Sequence, residues 1–450
     1  MSSDWPEVRI EEIAASGSNA LSTGPFGSAI GAKFFTESGV PVIRGSNLSA
    51  DVGVKLVDEN LVFVSFDKAK EFSRSVAKRG DLVFTCWGTI NQVGLIHERS
   101  KYPEYVVSNK QMKLTVDPKK VDSKFLYYVF SGPEKQQELL ANAIGAAVPG
   151  FNLGQLKKHA FRLPPLDVQQ RIVRVLDSLD TRIDVNRRIN QTLEAMAHAI
   201  FKSWFVDFDP VKAKIAAKQE GRDPLRAAMC AISGKADAEL DALPPEQYEQ
   251  LAATAALFPD DLEESELGEI PKGWTVQRLG NVLELVYGKA LKSADRQDGH
   301  VPVYGSGGIT GYHNKPLVPR GSVIVGRKGT VGSLYWEDNP FFPIDTTYYV
   351  CPLAAPLTFC YYAMQTLGLE KMNTDAAVPG LNRENAYRLE LILPDSDTLK
   401  LFDLEATTLR KAIRSNSAVI KALADLRDTL LPKLLSGELS VKEAAVEAEA

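Results

Sequence analysis

The stretch DVQQRIVRVLDSLDTRIDVNRRINQTLEAMAHAIFKSW, residues 167–204, decides the fold. Its apolar residues recur at alternating intervals of four and three, and two asparagines interrupt them near the middle. This heptad spacing keeps one face of a helix toward a partner helix. The predicted interface positions are Ile172, Leu176, Leu179, Ile183, Asn186, Leu193, Ile200 and Trp204.

A second copy of this seam lies 230 residues further along the chain. Its predicted interface positions are Phe402, Leu409, Ile413, Asn416, Leu423 and Leu430. Two helices that each carry one narrow apolar stripe most simply bury it against each other. We therefore predict a pair of long antiparallel helices, each roughly 50–60 Å in length.

Asn186 lies near the midpoint of the first seam, and Asn416 occupies the matching position in the second. Residues at the midpoints of two antiparallel helices related by a pseudo-twofold axis face each other. We predict that the two asparagines meet and fix the register at some cost in stability. The alternative is that each side chain binds water locally or faces solvent.

The segments before the two helices also repeat, with an offset that changes along the chain. Val40-Pro41-Val42 returns as Val301-Pro302-Val303, and Gly88-Thr89 returns as Gly329-Thr330. The stretch AAVPGFN at 146–152 returns as AAVPGLN at 376–382, and from there the offset stays at 230. The pattern indicates an internal duplication. The long helices, called the scaffold, keep their length, whereas the two segments that precede them, called the heads, differ in their loops. Two related but non-identical heads suggest two related but non-identical targets.

The predicted fold class is α+β, because short β-type runs with Gly, Pro and Asn turns alternate in the heads and heptads follow them. Two strand-rich domains are joined by two long antiparallel coiled-coil helices in a pseudo-twofold internal repeat. The predicted segments are domain 1 at 1–160, a central spacer helix at 161–206, an acidic linker at 207–272, domain 2 at 273–393, a C-terminal spacer helix at 394–437 and a tail at 438–450.

The charge distribution removes an objection to nucleic-acid binding. The net charge is −5, but residues 221–270 hold twelve acidic and three basic residues, and 438–450 hold four and one. The remainder carries a net charge of +7, so the strand-rich domains and helices are mildly basic. The four cysteines form no CxxC pair, no apolar run approaches about 20 residues, and the N-terminus does not read as a secretory signal. We expect a cytoplasmic protein without a structural metal.

Several stretches resemble the specificity (S) subunits of Type I restriction-modification systems. They are GAAVPGFNLGQLKKHAFRLPPLDVQQRIVRVLDSLDTRI at 145–183, DAAVPGLNRENAYRLELILPD at 375–395, FKSWFVDFDPVKAK at 201–214, ESELGEIPKGWTVQRLGNV at 265–283 and LLPKLLSGEL at 430–439. The resemblance covers essentially the whole chain, and its motifs belong mainly to the scaffold.

The resemblance implies two target recognition domains, each reading one half of a bipartite site in double-stranded DNA. The helices would set the spacing and dock two modification (methyltransferase) subunits, and restriction-translocase subunits could join. It also implies that the chain has no catalytic centre and holds no cofactor. S-adenosylmethionine, ATP and magnesium are expected in the partner subunits, which would methylate adenine. The complex would serve antiviral defence.

The heads offer candidate DNA contacts on loops that end β-type runs. Phosphate contacts need Lys, Arg or backbone N–H groups, and base reading needs side chains that fit a groove. The predicted DNA-binding residues are Thr23, Arg44, Ser46, Asn47, Lys78, Arg79, Trp87, Thr89, Asn91 and Lys110 in domain 1, and Lys289, Lys292, Tyr304, Ser306, Arg327, Lys328, Thr330 and Thr346 in domain 2. The closest matches between the domains are Arg44–Asn47 with Tyr304–Gly307 and the two Gly-Thr dipeptides.

Two other function classes compete with DNA recognition. The chain could be a helical-hairpin adaptor that binds two protein partners and no DNA. It could also be a self-contained nuclease or methyltransferase, but its motifs are incomplete: Asn339-Pro340-Phe341-Phe342 lacks the second proline of an adenine methyltransferase loop, and position 310 is Thr310 where GxGxxG needs glycine. The five histidines have no partner at triad or metal spacing.

Overall fold

The computed structural model describes residues 5–25, 27–144, 150–373 and 380–444. The chain forms two compact units, which are treated separately below. Unit 1 comprises Met1–Arg187 and Ala418–Ala450, and unit 2 comprises Arg188–Ser417.

The structure contains α-helices and short strands in chain order. The helices are α1 (Ile10–Ile13), α2 (Phe66–Glu71), α3 (Ser123–Ser131), α4 (Pro133–Ala141), α5 (Leu153–Lys158), α6 (Leu166–Phe205), α7 (Asp209–Gln219), α8 (Pro224–Ser233), α9 (Asp237–Leu240), α10 (Pro245–Ala256), α11 (Leu279–Val282), α12 (Leu357–Thr366), α13 (Arg383–Tyr387) and α14 (Ser396–Ser436). The strands are β1 (Glu7–Arg9), β2 (Leu21–Thr23), β3 (Phe35–Thr36), β4 (Val40–Ile43), β5 (Val62–Val64), β6 (Val76–Lys78), β7 (Leu82–Thr85), β8 (Val93–Leu95), β9 (Glu104–Val107), β10 (Gln111–Leu114), β11 (Ala160–Arg162), β12 (Leu262–Ser265), β13 (Gly268–Pro271), β14 (Thr275–Arg278), β15 (Leu283–Tyr287), β16 (Val301–Gly305), β17 (Gly308–His313), β18 (Ser322–Gly326), β19 (Leu334–Glu337), β20 (Phe342–Pro343), β21 (Thr347–Pro352) and β22 (Glu390–Leu393).

The strand-rich parts of the two units share a common plan. Unit 1 has a sheet in the order β2-β10-β7-β8, and unit 2 has the matching order β15-β21-β18-β19. The pair β1-β11 likewise matches β14-β22. The other sheet differs, with β3-β5-β4-β9-β6 in unit 1 and β17-β16-β20 in unit 2. This architecture confirms the predicted α+β fold with an internal repeat.

In unit 1 the predicted seam is buried where α6 meets the C-terminal half of α14. Six predicted seam residues are buried in one core with the strand-rich domain. They are Ile172, Leu176, Leu179, Ile183, Leu423 and Leu430. Asp180 contacts Arg427, and Ile172 lines a groove with Leu434. The residue numbers rise on one helix as they fall on the other, so these halves run antiparallel.

A buried ionic network ties this helix pair to the strand-rich domain. Arg427 and Asp180 are 3% and 2% exposed, and their side chains lie 3.1 Å apart. Lys55 approaches the Asp180 carboxylate to 2.9 Å, and the Tyr128 hydroxyl donates to it at 2.6 Å. Burial alone would lower the pKa of the Arg427 guanidinium, but the carboxylates of Asp180 and Asp428 outweigh it and raise that pKa. Arg427 occupies the heptad position between Leu423 and Leu430, and the network compensates its buried charge.

In unit 2 the C-terminal half of α6 packs against the N-terminal half of α14 through aromatic rings. Phe402 is fully buried among Phe201, Phe205 and Trp204 of α6. Ile200 and Leu409 are partly buried against the same core, whereas Leu193 and Ile413 are half-buried. Arg410 and Glu194 form an ion pair of 2.7 Å between the helices. These halves also run antiparallel.

The two midpoint asparagines belong to different units. Asn186 donates to the Arg182 carbonyl of its own helix at 2.8 Å. Within unit 2, the amide that bonds across the helix pair is Asn190, which donates to the Ser417 hydroxyl at 3.1 Å. The pairing of Asn186 with Asn416 stays a prediction.

The segment predicted as an acidic linker, 207–272, contains α7 to α10 and the hairpin β12-β13. Ala228, Met229, Leu240 and Ala255 form a small core there. Arg226 binds both Asp237 and Asp241 at 2.8 Å, which offsets part of the acidity. Within this segment the sequence predicts one short helix, near Pro245–Leu257, whereas α7 to α9 have at most eleven residues each and leave little periodicity to detect.

The described part of the tail after α14 also packs on unit 1. Ala444 is fully buried in the unit 1 core, and Leu439 and Val441 lie against it. Within the described residues, no helix is long and apolar enough to span a membrane.

We expect unit 1 to lose stability as the pH falls below about 6.5. Burial, followed by the charge of Lys135, lowers the pKa of His159, although Glu138 acts in the opposite direction. Burial and Lys55 likewise lower the pKa of His97. The unfolded chain therefore takes up protons at these positions before the folded chain does, and acid favours unfolding. Urea unfolding between about pH 7.5 and about pH 5.5 measures the slope. The double variant His97→Gln, His159→Gln should have a shallower slope, and an unchanged slope would contradict the assignment.

Candidate nucleic-acid interface

A polar cleft of about 660 Å³ in unit 1 collects loops that lie far apart in sequence. The loop after β4 supplies Arg44 and Ser46, and the loop after β7 supplies Trp87 and Thr89. The turn between β9 and β10 supplies Lys110. Five predicted residues thus line one surface, and the charged side chains among its described lining residues are both basic.

The backbone that carries this cleft is repeated in unit 2. The Cys86 amide donates to the Lys110 carbonyl at 2.8 Å, and the Arg327 amide donates to the Thr346 carbonyl at 2.9 Å. The Phe151 amide donates to the Cys86 carbonyl, and the Leu381 amide donates to the Arg327 carbonyl. Trp87 forms an isolated bridge with Gly150, and Lys328 forms one with Gly380. The two units therefore present equivalent loops on an equivalent frame, with Trp87 in the place of Lys328.

The repeated glycine of these loops is required by its backbone conformation. Gly88 has a φ of +87°, and Gly329 has a φ of +85°. Residues that carry a Cβ rarely adopt this left-handed backbone conformation, whereas glycine adopts it at little cost. The turn exposes Trp87 and Thr89 in unit 1, and Lys328 and Thr330 in unit 2.

The predicted match between Arg44 and Tyr304 is wrong by one residue. The Ser108 amide donates to the Ile43 carbonyl, and the Ile344 amide donates to the Tyr304 carbonyl. Tyr304 is therefore the equivalent of the buried strand residue Ile43. Its side chain is 6% exposed, and its hydroxyl donates to the Glu337 carboxylate at 2.9 Å. Tyr304 supports the domain from inside, and we remove it from the candidate contacts.

Asn47 is also a structural residue. Its side chain is 1% exposed, accepts from the Arg44 amide at 3.0 Å and donates to the carbonyl groups of Val57 and Glu59. These bonds use both its oxygen and its nitrogen. Asn47 fixes the loop that presents Arg44 and Ser46, and its side chain is buried beneath that loop.

Lys78 and Arg79 lie away from the cleft. They precede β7, whereas Trp87 follows it, so the strand separates them from the cleft loops. Lys78 lies 4.0 Å from Glu104 at the start of β9, and Arg79 donates to the Ser100 carbonyl. The structure does not bring these two cations together with the other candidates.

A smaller cleft of about 240 Å³ in unit 2 gathers positive charge. Arg327 lies 4.9 Å over the Tyr287 ring and donates to the Asp345 carbonyl at 2.9 Å. Lys328 and Arg383 line the same cleft, together with a single carboxylate, Glu384, among the described lining residues. The Arg327 guanidinium is thus held in place, whereas the exposed Lys328 side chain has no hydrogen bond or ion pair within the described residues.

The remaining candidates in unit 2 lie around these loops. A Cβ built on Gly305 would lie 3.7 Å from the Thr346 hydroxyl, and one built on Gly307 would lie 3.9 Å from the Thr330 hydroxyl. Ser306 is near Gly329 by the same measure. The hydroxyl groups of Ser306, Thr330 and Thr346 therefore border one surface. Lys289 and Lys292 are exposed on the loop after β15.

Thr23 and Asn91 are half-buried at the margins of the unit 1 surface. Thr23 ends β2, where it lies opposite Met112 of β10. Its own carbonyl accepts from the Ser75 hydroxyl at 3.0 Å. Asn91 lies between the exposed Thr89 and the cleft residue Gln92.

Most of this chain matches the model of a known protein family. The family model described as "Type I restriction modification DNA specificity domain" matches residues 2–195 and 271–410, well over half of the chain. The chain belongs to this family. The resemblance to Type I specificity subunits is thereby confirmed, and DNA sequence recognition is the property that the family is named for.

Individual specificity subunits are similar to this chain over most of their length. One is the Type I restriction enzyme HindI specificity subunit of Haemophilus influenzae, which is 29% identical over 82% of this chain and 88% of its own. Another is the MjaIX specificity subunit of Methanocaldococcus jannaschii, which is 24% identical over 83% of this chain and 81% of its own. A solved S subunit from M. genitalium matches over 96% of this chain and 96% of its own at 17% identity, with a TM-score of 0.49.

Tyr287 and Arg383 are surface residues that the sequence prediction missed. Arg383 lies 5.1 Å over the Tyr287 ring, so the two arginines of this cleft share one aromatic partner. Arg383 follows the repeated AAVPGLN motif directly, and this position was the available signal in the sequence. Residues 145–149 and 374–379, which hold most of that motif, lie outside the described residues.

The clefts carry side chains that are suited to binding nucleic acid. In the described residues, no group of three or more His, Cys, Asp or Glu side chains could hold a metal ion. Burial raises the pKa of the Cys86 thiol, which lies under the unit 1 cleft, to about 11, so this thiol is protonated near neutral pH. Cations, hydroxyl groups and an exposed aromatic ring are the groups that contact phosphates and base edges.

Proposed function

We propose that this chain is the DNA-recognition and assembly subunit of a Type I restriction-modification complex. The repeated backbone frame carries the proposal, because one scaffold presents Trp87 in unit 1 and Lys328 in unit 2. Two domains with equivalent loops and different side chains suit a bipartite DNA site whose halves differ in sequence. Each domain would read one half.

The long helices would dock the other subunits. Two modification subunits would bind S-adenosylmethionine and methylate adenine, and restriction-translocase subunits would supply an ATP- and magnesium-dependent activity. The chain itself would be non-catalytic and would hold none of these cofactors. Its cytoplasmic location remains part of this proposal.

Footprinting of the reconstituted complex tests the proposal. With modification subunits present, we expect protection of two short sequence-dependent stretches separated by a gap of unspecified sequence. The helical-hairpin adaptor predicts no footprint that depends on this chain. The purified chain alone should methylate no DNA with S-adenosylmethionine and cleave none with Mg²⁺, and either activity would favour the self-contained enzyme instead.

A further inference from the structure

Trp87 is an exposed aromatic residue in the middle of a polar cleft. Trp87 is 50% exposed although the loop around it is hydrogen-bonded to the turn between β9 and β10 and to Phe151. One part of the indole covers Gly150, where an added Cβ would lie 2.5 Å from the ring. The rest faces outward. The packing of unit 1 does not require this exposed surface, and water solvates it poorly.

The equivalent position in unit 2 has the opposite chemistry. Lys328 forms the same bridge to the equivalent glycine, and Gly329 has the same backbone conformation as Gly88. Among the described lining residues, the charged neighbours of Lys328 are Arg327, Arg383 and Glu384, and those of Trp87 are Arg44 and Lys110. The frame is preserved while an uncharged ring replaces an ammonium group.

These two side chains suit different parts of a DNA duplex. An indole carries no charge and a single donor, so it gains little from a phosphate. Apolar side chains contact thymine methyl groups in the major groove or wedge between base steps in the minor groove. A lysine beside two arginines is attracted to the phosphate backbone, where it adds affinity for every sequence alike.

We propose that the loop position shared by Trp87 and Lys328 has diverged in function between the two recognition domains. Trp87 contacts bases and determines sequence specificity in its half-site, whereas Lys328, with Arg327 and Arg383, anchors a phosphate. This inference rests on the proposed function, because it assigns roles to residues of the same two DNA-binding surfaces.

Binding of the complete modification complex to DNA tests both assignments. Affinity is measured for the cognate duplex, for a duplex with one half-site scrambled, and for a duplex with the other half-site scrambled. Trp87→Ala should reduce discrimination at one half-site by about tenfold or more and leave discrimination at the other unchanged. Trp87→Phe should keep most of the discrimination because it retains an aromatic ring. Phe66→Ala, which removes a 66% exposed ring elsewhere in unit 1, should change nothing.

Lys328→Ala should weaken binding to all three duplexes by the same factor. The slope of log affinity against log salt concentration should also become shallower by about one. Lys235→Ala removes an exposed lysine from another part of unit 2 and serves as the control.

The outcomes separate this inference from the proposed function. If the wild-type complex discriminates at neither half-site, the proposed function fails and the inference fails with it. If the wild type discriminates but Trp87→Ala does so equally well, or loses affinity uniformly, the role of Trp87 is wrong. If Lys328→Ala loses discrimination, or binds as the wild type does at every salt concentration, the phosphate assignment is wrong.

Discussion

Asp180→Ala is expected to destabilise unit 1 by about 3–5 kcal/mol. The carboxylate accepts a hydrogen bond from Tyr128 and neutralises two cations, Arg427 at 3.1 Å and Lys55 at 2.9 Å. Removal of the carboxylate leaves the buried Arg427 guanidinium, which is 3% exposed, without a buried acidic partner. Its remaining partners, Asp51 and Asp428, are partly exposed to solvent. A buried charge without full compensation is the most costly result of a single substitution in this network.

Hydrogen exchange measures this loss in each unit separately. The amides of α3 report on unit 1, and the amides of α12 report on unit 2. Asp180→Ala should reduce the protection of α3 strongly and that of α12 much less. Arg171→Ala breaks an exposed pair of 2.8 Å with Asp167 on the same helix and should cost at most about 0.5 kcal/mol. Similar losses in the two variants would contradict the account of the buried network.

Phe402→Ala should destabilise unit 2 by about 3–5 kcal/mol. Its ring is fully buried, and the centroids of Phe205 and Tyr362 lie 5.2 Å and 5.9 Å away. Truncation removes the apolar contact area and the edge-to-face contacts, and it leaves a cavity between α6, α12 and α14. Hydrogen exchange should show the reverse of the pattern expected for Asp180→Ala, with protection lost in α12 rather than in α3.

A matched control lies two residues further along the same helix. Leu404 is 63% exposed, so Leu404→Ala should change the free energy of unfolding by no more than about 0.5 kcal/mol. Phe402→Leu keeps most of the volume and should cost less than about 1.5 kcal/mol. Equal effects of Phe402→Ala and Leu404→Ala would show that the seam has been placed on the wrong face of α14.

The scaffold was predictable because heptad periodicity is a local property of the sequence. Six seam residues, Ile172, Leu176, Leu179, Ile183, Leu423 and Leu430, are buried together in unit 1. The partners of Arg427 were not predictable, since Asp180 and Asp51 reach it only through tertiary packing. Helices α7 to α9 were missed for another reason, because helices of at most eleven residues contain few repeats of an apolar stripe.

The candidate surfaces could be predicted only in part. The repeated Gly-Thr dipeptide located the central loop of each domain, because its glycine marks a special backbone conformation. The Gly-Ser dipeptides at 45–46 and 305–306 misaligned Tyr304, since the backbone hydrogen bonds pair it with Ile43 instead. Burial of Asn47 and the separation of Lys78 from Trp87 along β7 depend on the sheets, and composition does not encode them.

Methylation sequencing of host DNA with and without this chain tests the central claim most directly. If two recognition domains read two half-sites, adenine methylation should mark a motif with two defined halves and a fixed unspecified gap. That methylation should disappear when the chain is removed and return when it is restored. A continuous motif, or methylation that persists unchanged without the chain, would contradict the account.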